Sequence, residues 1–197
     1  WHVYNPSRRE AEVELAVVPA EGAPVEPIAL TVPARSQIVV DAASAPTIPK
    51  DVAHSSTVVS LNDVPVVVER SLDARAPATR RGWTSTFGSA LAARSWVLPL
   101  GEASSNTDEW VVVHNPSPER ATVSITALAG GQVVAVEGLQ DLPVGPGARI
   151  ALRVGDHIER SPLPLLVEAT SDVVVERDLY RVRTTGISAL IAIPLAP

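Results

Sequence analysis

Acid–base chemistry needs ionisable side chains held in a fixed relation, and one such pair occurs twice in this 197-residue chain. Glu69-Arg70 and Glu176-Arg177 each follow three valines, in "PVVVERSLD" (65–73) and "DVVVERDLY" (172–180). Neighbouring strand residues point to opposite faces. One member of each pair is therefore expected to face inward near a sheet rim, where a buried charge needs a partner. Two readings follow: a structural ion pair or loop hydrogen bond, or one half of a catalytic carboxylate pair. The second lacks an acid that recurs in a fixed relation to Glu69 and Glu176. His2, His54, His114 and His157 fall into no H-x-H or H-E-x-x-H spacing, so neither a metal nor another cofactor is expected. The chain has no Cys, which removes thiol catalysis, zinc–thiolate ligation and disulfides. There is no G-x-S-x-G elbow and no Gly-rich phosphate loop before a helix. The expectation is a protein that is not an enzyme.

Binding chemistry has better candidates. "GWTSTFG" (82–88) places Trp83 and Phe87 on one strand face with Ser85 between them. Exposed, the pair would form a platform for stacking sugar rings; buried, it would be core or a contact with a neighbouring unit. The hairpin after each Val-Val-Val-Glu-Arg strand is rich in arginine: Arg70, Arg75, Arg80 and Arg81 in the first, Arg177, Arg181 and Arg183 in the second. The net charge of −6 argues against a nucleic-acid partner, because neutralising phosphates needs clustered Lys and Arg over a surface. Local cationic tips on an acidic chain suit anionic cell-wall polymers, which the planar guanidinium fork can grip, or they are solvated loops. The candidate ligand residues are Trp83, Phe87, Arg80 and Arg81.

These residues sit in a repeat. Asn5-Pro6-Ser7 matches Asn115-Pro116-Ser117, with Trp1 set against Trp110, Val3 against Val113, Ala11 against Ala121 and Val13 against Val123. "VPARSQI" (32–38) resembles "VGPGARI" (144–150), and "GSALAARSWVLPL" (88–100) resembles "GISALIAIPL" (186–195). Ordered matches of this kind are the mark of duplicated modules. They divide the chain into unit one, 1–93, and unit two, 94–197. Unit two opens with "RSWVLPLG", a strand that unit one is expected to lack. The apolar tail "ISALIAIPLAP" is too short for a spanning helix, which takes about 20 residues. Because it resembles "SWVLPLG", the segment 190–197 is expected to complete unit one of the same or another chain, by strand exchange or in a dimer.

The local pattern is β throughout. Ala11, Val13, Leu15 and Val17 alternate with Glu12, Glu14 and Ala16; Ala121, Val123, Ile125 and Ala127 alternate with Thr122, Ser124 and Thr126. Period two puts the first set of each on a core face. Strands are expected over 1–5, 11–19, 27–32, 36–41, 56–61, 64–72 and 82–91. In unit two they are expected over 94–99, 109–115, 120–128, 132–137, 148–154, 164–170, 172–180 and 185–194. "DAASAPTIPKDVAH" (41–54) has room for one short helical turn. Seven or so short strands per hundred residues, punctuated by 18 prolines and 11 glycines, predict an all-β chain. The architecture expected is two tandem antiparallel β-sandwiches of the immunoglobulin or fibronectin kind. Asn5 and Asn115 are expected to close Asx turns, with Pro presetting the next φ, or else to hold ligand. Neither is a glycosylation acceptor, since Pro fills the middle position.

"RSWVLPLG…EWVVVHNPSPERATVSITAL" and "VVVERDLYR…TTGISAL" resemble the tandem modules of secreted actinobacterial proteins in the family of unknown function DUF5719. "RTTGIS" is shorter than the family's usual Gly-Gly hairpin. The resemblance implies export to the cell envelope and β-sandwich modules, and it implies no activity. The expected role is an extracytoplasmic structural or protein-binding module, a stalk or scaffold; the alternative is a module binding carbohydrate or cell-wall polymer. Any signal or anchor would lie outside this sequence.

Overall fold

The computed structural model describes residues 1–22 and 25–195. The chain is all-β: its sheets are antiparallel, and among the described residues the one helical element is a 3₁₀ turn, Val154–Asp156. The segment 41–54 makes turns and no helix: the Asp41 carbonyl accepts from the backbone of Ser44 and Ala45, and its carboxylate accepts from Ala43 N–H. Two compact units are present, Trp1–Ser71 and Leu72–Pro197. Residues 72–93, which the repeat counts with unit one, thus group with the second unit. Unit one is therefore Trp1–Ser71 and unit two Leu72–Pro197.

Unit one contains β1 (His2–Tyr4), β2 (Ala11–Pro19), β3 (Ile28–Val32), β4 (Gln37–Val39) and β5 (His54–Ser60), and β6 (Val67–Ala74) begins in it. One sheet runs β3-β2-β5, and in the other β1 lies between β4 and β6. The alternation in β2 does what period two requires. Ala11, Val13, Leu15 and Val17 are all buried, and the residues between them are not. They join Val3, Val32, Val64, Trp1 and Ile48 in two small clusters.

Unit two contains β7 (Gly82–Phe87), β8 (Ala93–Leu98), β9 (Thr107–His114), β10 (Ala121–Ala129), β11 (Gln132–Ala135) and β12 (Leu142–Val144). It continues with β13 (Arg149–Arg153), β14 (Leu165–Arg181), β15 (Ile187–Ile191) and β16 (Ile193–Pro194). Two expected strands, 164–170 and 172–180, are one strand of 17 residues. The first half of β14 pairs with β10 and β8, the second half with β9 and β15. The change of partner falls at Ala169-Thr170-Ser171-Asp172, where the register against β8 shifts. Small polar residues there let the strand bend from one sheet into the other, as bulges do at sandwich corners. β12 has no counterpart among the expected strands; it is three residues long and carries a proline. One continuous core joins both sheets, with Trp96, Leu98, Val111, Val113, Ile125, Leu165, Val167, Val173 and Val175 fully buried.

The two units share pairing registers. Val3 faces Val68 as Val113 faces Val175, and His2 faces Glu69 as Val112 faces Glu176. Ala11 faces Val32 as Ala121 faces Val144. These registers correct one expected match: Trp1 corresponds to Val111, not Trp110. Trp1 and Val111 are buried, whereas Trp110 lies on the opposite face of β9. A slip of one residue exchanges the two faces of a strand. The tail also behaves differently from the expectation that it completes unit one of the same chain. β15 pairs with β14, β16 pairs with β8, and Leu195 N–H donates to Ser95 carbonyl, all within unit two. Residues 196–197 of that expected segment lie outside the described residues.

Candidate functional site

The Asn-Pro-Ser turns are built identically. Asn5 is fully buried. Its Nδ2 donates to the carbonyls of Arg9 (2.7 Å), Val32 (3.0 Å) and Pro33 (3.2 Å), and its Oδ1 accepts from Ser7 N–H (2.9 Å). Asn115, also fully buried, donates to Glu119 (2.7 Å), Val144 (3.2 Å) and Gly145 (3.0 Å), and accepts from Ser117 N–H (3.0 Å). Each side chain thus closes an Asx turn and ties it to a second loop. With both amide ends engaged, neither Asn presents a group to a ligand.

The Glu-Arg pairs resolve by register. In unit two Arg177 faces inward and is 5 % exposed, while Glu176 is half-buried on the other face. Glu69 and Arg70 are both half-buried. The acid facing Arg177 is Glu109, diagonally placed across β9 and 0 % exposed. Burial pushes its carboxyl up to about 7, against the opposing pull of the Arg177 charge and the Glu102 backbone. Burial likewise lowers Arg177, with Glu109 opposing. Both Glu109 oxygens, and Nε and Nη1 of Arg177, are buried without a hydrogen-bond partner, so the two side chains act on one another through their charges. The signal for Glu109 was in the sequence: counting back by twos from Val113 and Val111 lands on it. Its carboxylate lies against the backbone of Gly101 and cannot reach a substrate in solvent without the fold opening.

The outer face of the same strands carries a second cluster. Asp108 accepts from Arg80 (2.6 Å), Arg153 (2.7 Å) and Trp110 Nε1 (3.0 Å). The Arg80 guanidinium lies 5.0 Å from the Trp110 ring centre and 4.4 Å from that of Tyr180. Burial alone would raise Asp108; the hydrogen bonds from Arg153, Trp110 and Arg80 outweigh it and hold the carboxyl below its ordinary value. Burial pushes the Tyr180 hydroxyl well above its usual range, with Asp178 adding to it. Arg80 therefore anchors the segment ahead of β7. Beside it is an open groove of about 220 Å³ lined by Glu102, Thr107, Leu179, Tyr180, Arg181 and Ile187 among others.

β7 carries the aromatic pair. Trp83 is 64 % exposed and Phe87 62 % exposed, with Ser85 between them on the same face. The strand is held from the other side. Gly186 N–H donates to Arg81 carbonyl (2.8 Å), and Ala189 N–H donates to Thr84 Oγ1 (3.2 Å). Arg81 itself is exposed at the start of the strand. All four candidate ligand residues thus reach solvent, and Arg80 is in addition bound to Asp108. Among the described residues no three His, Asp or Glu side chains converge on a metal-sized point, and no helix is long and apolar enough to cross a membrane.

No family model matches the chain, and no curated protein matches it. A crystal structure of Thermotoga maritima 1070 is similar over 53 % of this chain and 96 % of that one, at 19 % identity and a TM-score of 0.47. That likeness bears on neither fold nor function.

Proposed function

We propose that the chain is a non-catalytic interaction module of the bacterial cell envelope that holds a carbohydrate or cell-wall polymer on the exposed face of β7. The observation that carries this reading is the exposure of Trp83 and Phe87, two of the seven aromatic residues in the chain. Large aromatic faces left in water on a pinned strand mark contact surfaces. Four residues of strand separate them by roughly 13 Å, which suits an extended polymer more than a single small molecule. Arg81, at the head of the strand, supplies positive charge for an anionic glycan. Placement outside the cytoplasm rests on the resemblance to the secreted DUF5719 modules. The second reading, a stalk or protein-binding scaffold of serial β-sandwich modules, is favoured by the duplicated Asn turns, which make each unit a repeat of one plan.

The test is co-sedimentation with insoluble cell-wall glycan from an actinobacterium. Wild-type protein is expected in the pellet, and Trp83→Ala and Phe87→Ala in the supernatant. Equal sedimentation of all three, or of none, removes the β7 face from the account and leaves the scaffold reading.

A further inference from the structure

The core face of unit two runs out into the groove. Along β14, the residues on that face are buried at Val175 and Arg177, half-buried at Leu179 and exposed at Arg181. Leu179 lies opposite Ser188 of β15, and Arg181 opposite Thr107 of β9, so these four share the face at its rim. With Glu102 and Ile187 they line the space of about 220 Å³. Its walls are tied together. Val182 N–H donates to Asn106 carbonyl (3.0 Å), and Arg181 N–H donates to Gly186 carbonyl (2.9 Å). Ser104 N–H donates to Thr107 carbonyl (3.0 Å), and the Ser104 hydroxyl donates to Glu102 Oε1 (2.6 Å). Two opposite charges therefore face one small space, each held by a hydroxyl: Glu102 by Ser104, and Arg181 through its Nη1 bond to Thr107 Oγ1 (3.1 Å). Among the described residues neither charge joins an ion pair, with the other or with a third group. Thr107 is only 4 % exposed, and its hydroxyl, which accepts from Arg181, keeps a proton to donate.

We propose that this groove is a binding site for a free α-amino acid. The ligand's carboxylate lies against the Arg181 guanidinium and the Thr107 hydroxyl, its ammonium against Glu102, and its side chain over Leu179 and Ile187. Three observations choose this chemistry. The planar guanidinium takes a carboxylate through two parallel bonds, and an ammonium, all donor and no acceptor, matches a carboxylate wall. A ligand of one sign only would set a like charge against one of the two walls. The volume is also below the roughly 300 Å³ at which pockets for drug-sized ligands begin, so the occupant has few atoms.

The test follows the backbone amide resonances of the full chain during titration with L-leucine, L-leucinamide and N-acetyl-L-leucine. The amide lacks the carboxylate and the acetyl compound lacks the ammonium. The site predicts saturable shifts with leucine at Thr107, Arg181 and residues 186–188. It also predicts that each of the other two ligands binds at least about tenfold more weakly, the equivalent of 1.4 kcal/mol. Glu102→Gln should then lose the discrimination against N-acetyl-leucine and keep that against leucinamide, and Arg181→Gln should do the reverse. The proposal is overturned by absence of a saturable shift with leucine in folded protein, by equal binding of the three ligands, or by discrimination that both variants leave unchanged. The ligand series alters nothing in the protein, so a folding defect in either variant cannot imitate its result.

Discussion

Asn115 makes four hydrogen bonds from a side chain with no exposed surface, and three of them satisfy loop carbonyls. Replacing it by Ala leaves Val144 carbonyl buried without that donor and opens the link between two loops. Asn115→Ala is expected to lower the stability of unit two by roughly 2–4 kcal/mol, read as a shifted urea midpoint at unchanged slope. Asn115→Asp keeps the acceptor and loses the donor, so it should fail similarly; a neutral result for either variant would remove the turn from the list of structural supports. Glu109 gives a pH signature. Its folded pKa of about 7 lies above the ordinary 4.5. A raised carboxyl contributes stability that is fully present below the ordinary value and is lost as pH rises through about 7. Unit two is therefore expected to lose up to about 3 kcal/mol between pH 4.5 and 8 on this account. Glu109→Gln, neutral throughout, should flatten the profile in that window. A wild-type profile as flat as the variant's would show that Glu109 is ionised in both states.

At the scale of elements, two glycines fix how strands approach. A Cβ on Gly101 would fall on the Glu109 carboxylate and lie 2.7 Å from Leu163 carbonyl, both inside the core. Gly101→Ala is expected to cost about 2 kcal/mol or more, as overpacking does. Gly82, with φ +152°, brings β7 onto β15; its Cβ would lie 2.8 Å from Ile187 N. Gly82→Ala should loosen β7, raising amide exchange at 83–87 while the core strand 173–177 stays protected. Uniform exchange across both would show that β7 unfolds with the whole unit. Arg80→Ala tests the same attachment from its other end. Asp108 retains Arg153 and Trp110, and Arg80 is 43 % exposed, so a loss of only about 0.5–1 kcal/mol is expected.

The core faces of β2 and β10 were legible because strict alternation has one interpretation when one side must be dry. The same rule, carried two residues further back along β9, would have found Glu109. It was missed because an acid in a core position contradicts composition, and only the fold supplies Arg177 opposite it. The sequence breaks β14 into two expected strands at Ser171; in space the residues around it bend one strand and do not interrupt it. Arg80 was legible as a cation and not as an anchor, since Asp108, Trp110 and Tyr180 reach it from strands distant in sequence.

On the scale of the whole molecule, the chain is an all-β protein in which Asp108 is engaged by Arg80 and Arg153 while Trp83 and Phe87 stand exposed. Its repeat shows in sequence through Asn-Pro-Ser and Val-Val-Val-Glu-Arg, and in space through shared registers. The sequence left the exposure of Trp83 open, because alternation says which residues share a face and not what covers that face. That exposure makes a direct measurement possible. Trp1 and Trp96 are buried and Trp110 lies against Arg80, so Trp83 dominates the long-wavelength emission. The measurement is tryptophan fluorescence of the intact chain titrated with soluble cell-wall polysaccharide, alongside Trp83→Ala. The account predicts a saturable blue shift in the wild type, absent from the variant. An unchanged spectrum from folded protein, or the same shift in the variant, would contradict a glycan site on β7.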